Sequence, residues 1–368
     1  MMRRRSHIVA ARRSAVLPRG GGFRSLEMHE LAATVMQAAL RDAGLEPERV
    51  GEVILGNALG AGGNPARIAA LAAGLPEKVA GLTIDRQCCA GLDAILLGDA
   101  MICAGLHDIV IAGGVESYSR RPLRLRTDPD GGAAQPYDQP PFTPWPDRDP
   151  LMPAAADTLA RRFGISREAQ EEWAIASHAK ALAAQPMTEI LPLEGATADS
   201  YARHLTHRLC ARTRPLAGSV TSATTAAAAD GAAICILVVD RLAEDLGLSG
   251  PAILAGRTLG DDPELPGLAP VAAIEAALEE AGLTPGDLAC AEIMEAFAVQ
   301  AIACQQQAGI DPAIVNPGGG ALARGHPIGA SGAINAVRLV HELRRREGYG
   351  LAAIAAAGGL GTALLLRT

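Results

Sequence analysis

Two side chains set among small and apolar neighbours could act together on an acyl group. Cys88 lies in Ile84-Asp-Arg-Gln-Cys-Cys-Ala-Gly-Leu-Asp-Ala94, between an extended apolar segment and a helix of small residues. His326 lies in Gly325-His-Pro-Ile-Gly-Ala-Ser-Gly332, another loop that enters a helix through glycines. A thiol at a helix N-terminus feels the positive end of the helix dipole, which favours thiolate. A histidine beside it would accept its proton and complete a Cys–His nucleophile. That pairing points to acyl transfer through a thioester. It also requires a fold that joins two residues far apart in sequence.

An internal duplication would do so. Ala38-Ala-Leu-Arg-Asp-Ala-Gly-Leu-Glu-Pro47 matches Ala276-Ala-Leu-Glu-Glu-Ala-Gly-Leu-Thr-Pro285 at an offset of 238. Each copy reads as an amphipathic helix stopped by glycine and proline. Each then runs into an apolar strand, near Val53-Ile54-Leu55 and Glu292-Ile293-Met294. A second match pairs Ile109-Val-Ile-Ala-Gly-Gly-Val115 with Ile354-Ala-Ala-Ala-Gly-Gly-Leu360, and a weaker one sets Ala90-Gly-Leu against Ser331-Gly-Ala. The order indicates a repeated α/β unit, with the cysteine and histidine helices in equivalent places near the shared axis.

The composition changes between the halves. Arg120-Arg-Pro-Leu-Arg-Leu-Arg126 is basic, and Asp128 to Pro150 is rich in proline, glycine and aspartate. This reads as an irregular surface insert, with a helix from Ser166 to about Ala184. The basic cluster is either a solvated face or a contact for a phosphorylated ligand or partner subunit. The expected division is 1–116 for the first half and 117–230 for the inserted loop domain. Residues 231–250 supply the last strand of the first half and a connection, and 251–368 form the second half.

With 368 residues, 49% hydrophobic and 20% charged, the chain has the make-up of a globular protein with large cores. A net charge of -7 argues against nucleic-acid binding. The N-terminal segment lacks a secretory apolar stretch, and the run from Leu351 to Leu366 is broken by Gly358, Gly359 and Gly361. A cytoplasmic protein without membrane contact is expected. Cys103, Cys210, Cys235, Cys290 and Cys304 lack zinc or disulfide spacing and read as apolar filler. His204 and His207 have helical spacing but no ligand partners, so no metal is expected.

Further motifs are Gly56-Asn-Ala to Asn64-Pro-Ala-Arg67, Ala112-Gly-Gly-Val-Glu-Ser117, Ser166-Arg-Glu-Ala-Gln170 and Asn316-Pro-Gly-Gly-Gly-Ala-Leu-Ala-Arg-Gly-His326. With the cysteine segment, these make the chain resemble the thiolase superfamily of acetyl-CoA acetyltransferases and 3-ketoacyl-CoA thiolases over nearly its whole length. The resemblance implies a duplicated five-layered αβαβα fold of the α/β class, with an inserted loop domain, assembled as a homodimer or homotetramer. It implies acyl-CoA as substrate, with no permanently bound cofactor. Cys88 would carry the acyl group and His326 would be its base. Backbone N–H groups of Cys88 and Ala357 would form an oxyanion hole. Met152, Ser222, Ala226 and Phe297 would contact coenzyme A.

The chain also departs from the family pattern. Ala355 stands where a second catalytic cysteine is usual, and Met294 replaces the asparagine of Asn-Glu-Ala-Phe. Leu151-Met152 replaces a common His-Met, Ala226 replaces a frequent CoA-contacting serine, and the segment from Leu193 to Arg214 is shortened. Alanine cannot move a proton, so carbon–carbon chemistry lacks its usual acid/base. The expected function is acyl transfer through acyl-Cys88 to an acceptor that needs no second cysteine. The alternatives are a CoA-binding or scaffolding subunit that acts with a partner protein and, last, a ketosynthase-like reaction.

Overall fold

The computed structural model describes residues 4–60 and 62–368. The first half contains β1 (Ser6–Ser14), α1 (Met28–Ala43), β2 (Glu52–Gly56), α2 (Pro65–Ala72), β3 (Ala80–Ile84), α3 (Ala90–Cys103) and β4 (Ile109–Glu116). Two helices of the insert follow, α4 (Met152–Phe163) and α5 (Arg167–Ala183), before β5 (Ala229–Val239) completes the half. The second half contains β6 (Ala252–Gly260), α6 (Ala269–Ala281), β7 (Leu288–Ile293), α7 (Ala298–Gln307), α8 (Ile328–Leu343), β8 (Tyr349–Ala356) and β9 (Leu360–Arg367).

The strand order is β7-β8-β9-β6-β1-β5-β4-β2-β3 within an eleven-stranded sheet, with two short strands off this path. Reading outward from β1 and from β6, the two halves have the same order of equivalent strands. They join where His7 pairs with Ala252, a single register position. The period of two along each strand explains the layering. Ile234, Ile236 and Val238 of β5 pack outward with Leu31, Val35 and Met36 of α1. Cys235, Leu237 and Val239 face the opposite way, toward Leu92 and Ile95 of α3 and Ile334 and Val337 of α8. In β9, Leu364 and Leu366 join that same central cluster. Ala363 and Leu365 instead meet Ile274 and Leu278 of α6. The result is helix, sheet, helix, sheet, helix, with α3 and α8 in the middle.

Burial on both sides suits these two helices. Every residue of α8 from Gly329 to Leu343 is buried. A helix without an exposed face belongs inside a layered fold. By contrast α1 has one apolar face, and both α1 and α6 stop at glycines in the left-handed region, Gly44 (φ 60°) and Gly282 (φ 67°).

The structure alters several expectations. The Gly-Gly match is out of register: Gly113 and Gly114 lie inside β4, whereas Gly358 and Gly359 form the turn after β8. Gly114 is needed because a Cβ there would come within 2.2 Å of Gly329 O. Gly358 and Gly359 are needed for positive φ, at 81° and 74°. α3 and α8 start 238 residues apart, at Ala90 and Ile328, which pairs Gly91 with Gly329 rather than with Gly332. The insert carries α4 and α5 in its middle and is largely irregular on either side of them, and Ile165 and Leu159 pack with Val299 and Ile302 of α7. His204 precedes the short helix His207–Cys210, so the two histidines do not share a helical face. Among the described residues, no helix is long and apolar enough to cross a membrane.

Candidate active site

The α3 and α8 backbones approach one another through glycines. A Cβ on Gly91 would lie 2.7 Å from Gly329 O, and one on Gly332 would lie 2.7 Å from Leu92 N. Larger residues would part the helices and their leading loops. With glycine there, Cys88 Sγ and His326 Nε2 come within 3.2 Å.

Each loop is fixed by its own hydrogen bonds. Before Cys88 the chain turns at Gln87, whose φ is 50° and whose N–H donates to Asp85 Oδ1 at 2.8 Å. Cys89 N–H donates to Arg86 O and Ala90 N–H to Gln87 O, both at 3.1 Å. This turn presents Cys88 to the cavity. The Cys89 thiol points the other way, 3.5 Å from Ile354 O in the central core. His326 N–H donates to Ala227 O at 2.7 Å.

Ser331 faces two partners: its hydroxyl lies 2.9 Å from Pro327 O and 2.7 Å from His326 Nδ1. With its proton donated to Pro327 O it accepts from Nδ1–H, and Nε2 then presents a lone pair to the Cys88 thiol.

Burial pushes the Cys88 thiol up to about 12, assisted by Glu116 and Asp85 and opposed by its own backbone N–H. Burial also lowers His326 to about 4. Desolvation thus opposes the thiolate that the helix start favours, and it favours neutral imidazole.

Two buried carboxylates hold the surrounding loops. Glu116, at the end of β4, accepts from Asn57 Nδ2 at 2.8 Å, Ala58 N–H at 2.9 Å and Gly329 N–H at 3.0 Å. Burial raises it to about 7, against the N–H donors that favour its charge. It thus ties the loop after β2 to the first turn of α8. Glu295 accepts from Ser177 Oγ at 2.8 Å, Asn316 Nδ2 at 2.9 Å and Trp173 Nε1 at 3.0 Å. These bonds tie the insert to the loop that ends at His326. Arg324 closes that loop by donating to Gly319 O at 2.9 Å and Asn335 Oδ1 at 2.8 Å.

Cys88 and His326 open onto a cavity of about 350 Å³ whose wall includes Met152, Ala226, Phe297 and Ala355 to Ala357. Tyr118, Arg121 and Arg124 stand on the same wall. Ser222 is exposed and does not line the cavity. Met294 is buried in the central core, its N–H donating to Ala353 O at 2.9 Å, and it too is absent from the wall. Among the described residues, no cluster of three or more His, Cys, Asp or Glu could hold a metal.

Comparison with known proteins decides the family. Residues 6–241 match the thiolase N-terminal domain, and residues 251–368 match the thiolase C-terminal domain. The chain belongs to the thiolase family. It is 40% identical to an acetyl-CoA acetyltransferase of Cupriavidus necator, over 97% of this chain and 98% of that one. It is 39% identical to a putative acetyl-CoA C-acetyltransferase of Bacillus subtilis, over 97% and 98%. The crystal structure of the Bacillus anthracis acetyl-CoA acetyltransferase superposes with a TM-score of 0.92 at 34% identity, covering 99% of this chain and 98% of that one. Human mitochondrial 3-ketoacyl-CoA thiolase in complex with CoA also gives 0.92, at 31% identity, with 99% and 98% covered.

Within this thiolase the local supports of the pair were not singled out from sequence. Ser331 had one usable signal, its place five residues after His326 in the first turns of a helix. Glu116 had another, a carboxylate closing an otherwise apolar strand. Glu295 has its place in the family's Asn-Glu-Ala-Phe segment, and Tyr118 carries no such signal; only the fold shows what they meet.

Proposed function

We propose that this thiolase moves acyl groups from coenzyme A thioesters by way of an acyl-Cys88 intermediate. The observation that carries the reading is the 3.2 Å Cys88–His326 contact, with Ser331 Oγ 2.7 Å from the other ring nitrogen, where accepting from Nδ1–H leaves Nε2 to take the thiol proton. Sulfur attacks the thioester carbonyl while Nε2 takes the thiol proton. Backbone N–H groups of Cys88 and Ala357 stabilise the oxyanion. The tetrahedral adduct collapses, the carbon–sulfur bond to coenzyme A breaks, and His326 returns the proton to the departing thiolate. Met152, Ala226 and Phe297 flank the channel through which coenzyme A enters. Ser222, outside the cavity, contacts a more distal part of that ligand.

The second transfer is where this chain departs from its family. Ala355 offers no proton-transfer group on the far side of the cavity, and Met294 is turned into the core. An acceptor that is already nucleophilic, such as a thiol, an amine or an activated carbon, suits this arrangement. Assembly as a homodimer or homotetramer fits the apolar residues left exposed near the sheet edge, Ile68, Leu71 and Leu82.

Incubation with acetyl-CoA and longer acyl-CoAs, followed by intact mass and a peptide map, tests the first half-reaction. The expected outcome is an acyl adduct on the Cys88 peptide that is absent from Cys88→Ala. Absence of any adduct despite measurable CoA binding would favour a second reading, a CoA-binding or scaffolding subunit whose partner supplies chemistry. The apolar residues at 294 and 355 support that alternative, and turnover with and without a candidate partner protein separates the two.

A further inference from the structure

The basic segment after β4 enters the acyl site. A second cavity, of about 390 Å³, adjoins the first and shares with it Leu59, Arg121, Arg124 and Asp138. Both guanidinium groups therefore stand where the space around Cys88 continues beyond the thioester.

Neither is neutralised firmly. Arg121 meets Asp138 at 3.0 Å, but the Asp138 side chain is 88% exposed, and such a pair is screened and readily exchanged. Arg124 donates Nη2 to Ala58 O at 2.8 Å, a neutral partner that holds the fork in place without cancelling its charge. Arg121 also lies over the Tyr118 ring, 5.7 Å from its centroid. Burial, with the nearby Cys88 and Glu116, raises the Tyr118 hydroxyl, so it stays protonated and able to donate. The arrangement offers two positive forks and a phenol to a cavity whose other charged side chain is the exposed Asp138. Guanidinium forks match the planar oxyanions of carboxylate and phosphate.

We propose that Arg121 and Arg124 form an anion subsite beside Cys88 that receives an oxyanion group of the thioester substrate. That group is a carboxylate at the far end of the acyl chain or a phosphate of coenzyme A. The inference rests on the reading of the cavity as an acyl-CoA site, and its test is arranged to stand without acylation.

The measurement is calorimetric binding to the Cys88→Ala protein, which holds thioesters without reacting. Glutaryl-CoA is compared with pentanoyl-CoA, adipoyl-CoA with hexanoyl-CoA, and free coenzyme A is titrated alongside. Arg121→Gln, Arg124→Gln and the charge-preserving Arg124→Lys are then introduced. A carboxylate in the subsite predicts tighter binding of the carboxylated member of a pair by roughly tenfold, lost in the Gln variants and partly kept in Arg124→Lys. A coenzyme A phosphate there predicts instead a similar loss, about tenfold, for free coenzyme A and every thioester alike. Circular dichroism and melting temperature verify that each variant remains folded. If folded Gln variants bind all five ligands as the parent does, the subsite is overturned. Failure of the parent protein to acylate Cys88 in the separate mass assay would overturn the catalytic reading alone.

Discussion

The first half of the molecule brings a thiol to the cavity and sets a buried carboxylate behind its wall, whereas the second brings a histidine and three successive alanines. The backbones are equivalent. Cys88 and His326 are 238 residues apart, the same spacing that separates the starts of α3 and α8. What each half places after its strands differs. β4 ends in Glu116, which gathers N–H donors from β2's loop and from α8, while β8 runs out through Ala355 and Ala356 into a glycine turn. Duplication supplied matching positions, and the two sets of loops then took separate roles. The acylating pair needs one residue from each half. The proton-handling groups of the second transfer would come mainly from the second half, and there the side chains are apolar.

The sharpest way to break the comparison is to remove the second half's contribution to the pair. His326→Ala should slow Cys88 acylation by roughly 10²- to 10⁴-fold. Rapid-quench mass measurements of the adduct would check this, and a rate near that of the parent would refute the role of His326. In the parent protein the rate should fall as pH drops through about 4, where the lowered imidazole becomes protonated and can no longer accept. Above that value the base is available. With the thiol held up to about 12, no rise from free thiolate is expected below pH 10. Ala355→Cys restores a thiol to the depleted side. It should raise carbon–carbon bond formation between two acetyl-CoA molecules by roughly 10²-fold if the missing acid/base limits the second step, with first-step acylation unchanged. Unchanged condensation in a folded Ala355→Cys protein would show that residue 355 is not the limiting difference.

Much of this division was readable before the fold. The helix stops at Gly44 and Gly282 carry a local signal, because only glycine takes that conformation cheaply, and they revealed the duplication. The Cys–His pair followed from two glycine-flanked loops at equivalent places. The Gly-Gly match misled because the same dipeptide serves a close approach at Gly114 and a positive φ at Gly358 and Gly359, and sequence does not separate these uses. The opposition of burial to a Cys88 thiolate is not legible in the sequence either, since a helix start is local information whereas desolvation depends on everything packed around the sulfur. Ser222 is a coenzyme A contact by resemblance alone, and the turn after the short strand Val220–Thr221 leaves it exposed and off the cavity wall.

The first half's carboxylate offers a smaller effect. Glu116→Gln keeps the shape of the side chain but sets an amide donor among N–H groups that all need an acceptor. A loss of about 1–3 kcal/mol in stability is expected from the mismatch. Urea unfolding measures it directly. Acylation should slow roughly tenfold as the loop of Leu59 and the first turn of α8 lose their common tie. A stable variant with parental acylation would mean that the two loops are held by other contacts.

The finest test concerns one proton in the second half. Ser331→Ala removes the acceptor of His326 Nδ1–H but leaves Nε2 facing the thiol. The imidazole then loses its bias between tautomers, and a fraction of molecules present a proton rather than a lone pair to Cys88. Acylation should fall by roughly three- to tenfold, the scale of one neutral hydrogen bond of about 0.5–1.5 kcal/mol. Ser331→Thr keeps a hydroxyl able to accept from Nδ1 while donating to Pro327 O, so it should recover most of the rate. Nitrogen-15 chemical shifts of the imidazole provide a readout independent of turnover. The parent should show Nδ1 protonated and Nε2 bare, and Ser331→Ala should show a mixture. A variant that kept the parental tautomer and rate would assign the orientation of His326 to its backbone bond with Ala227 instead of to Ser331.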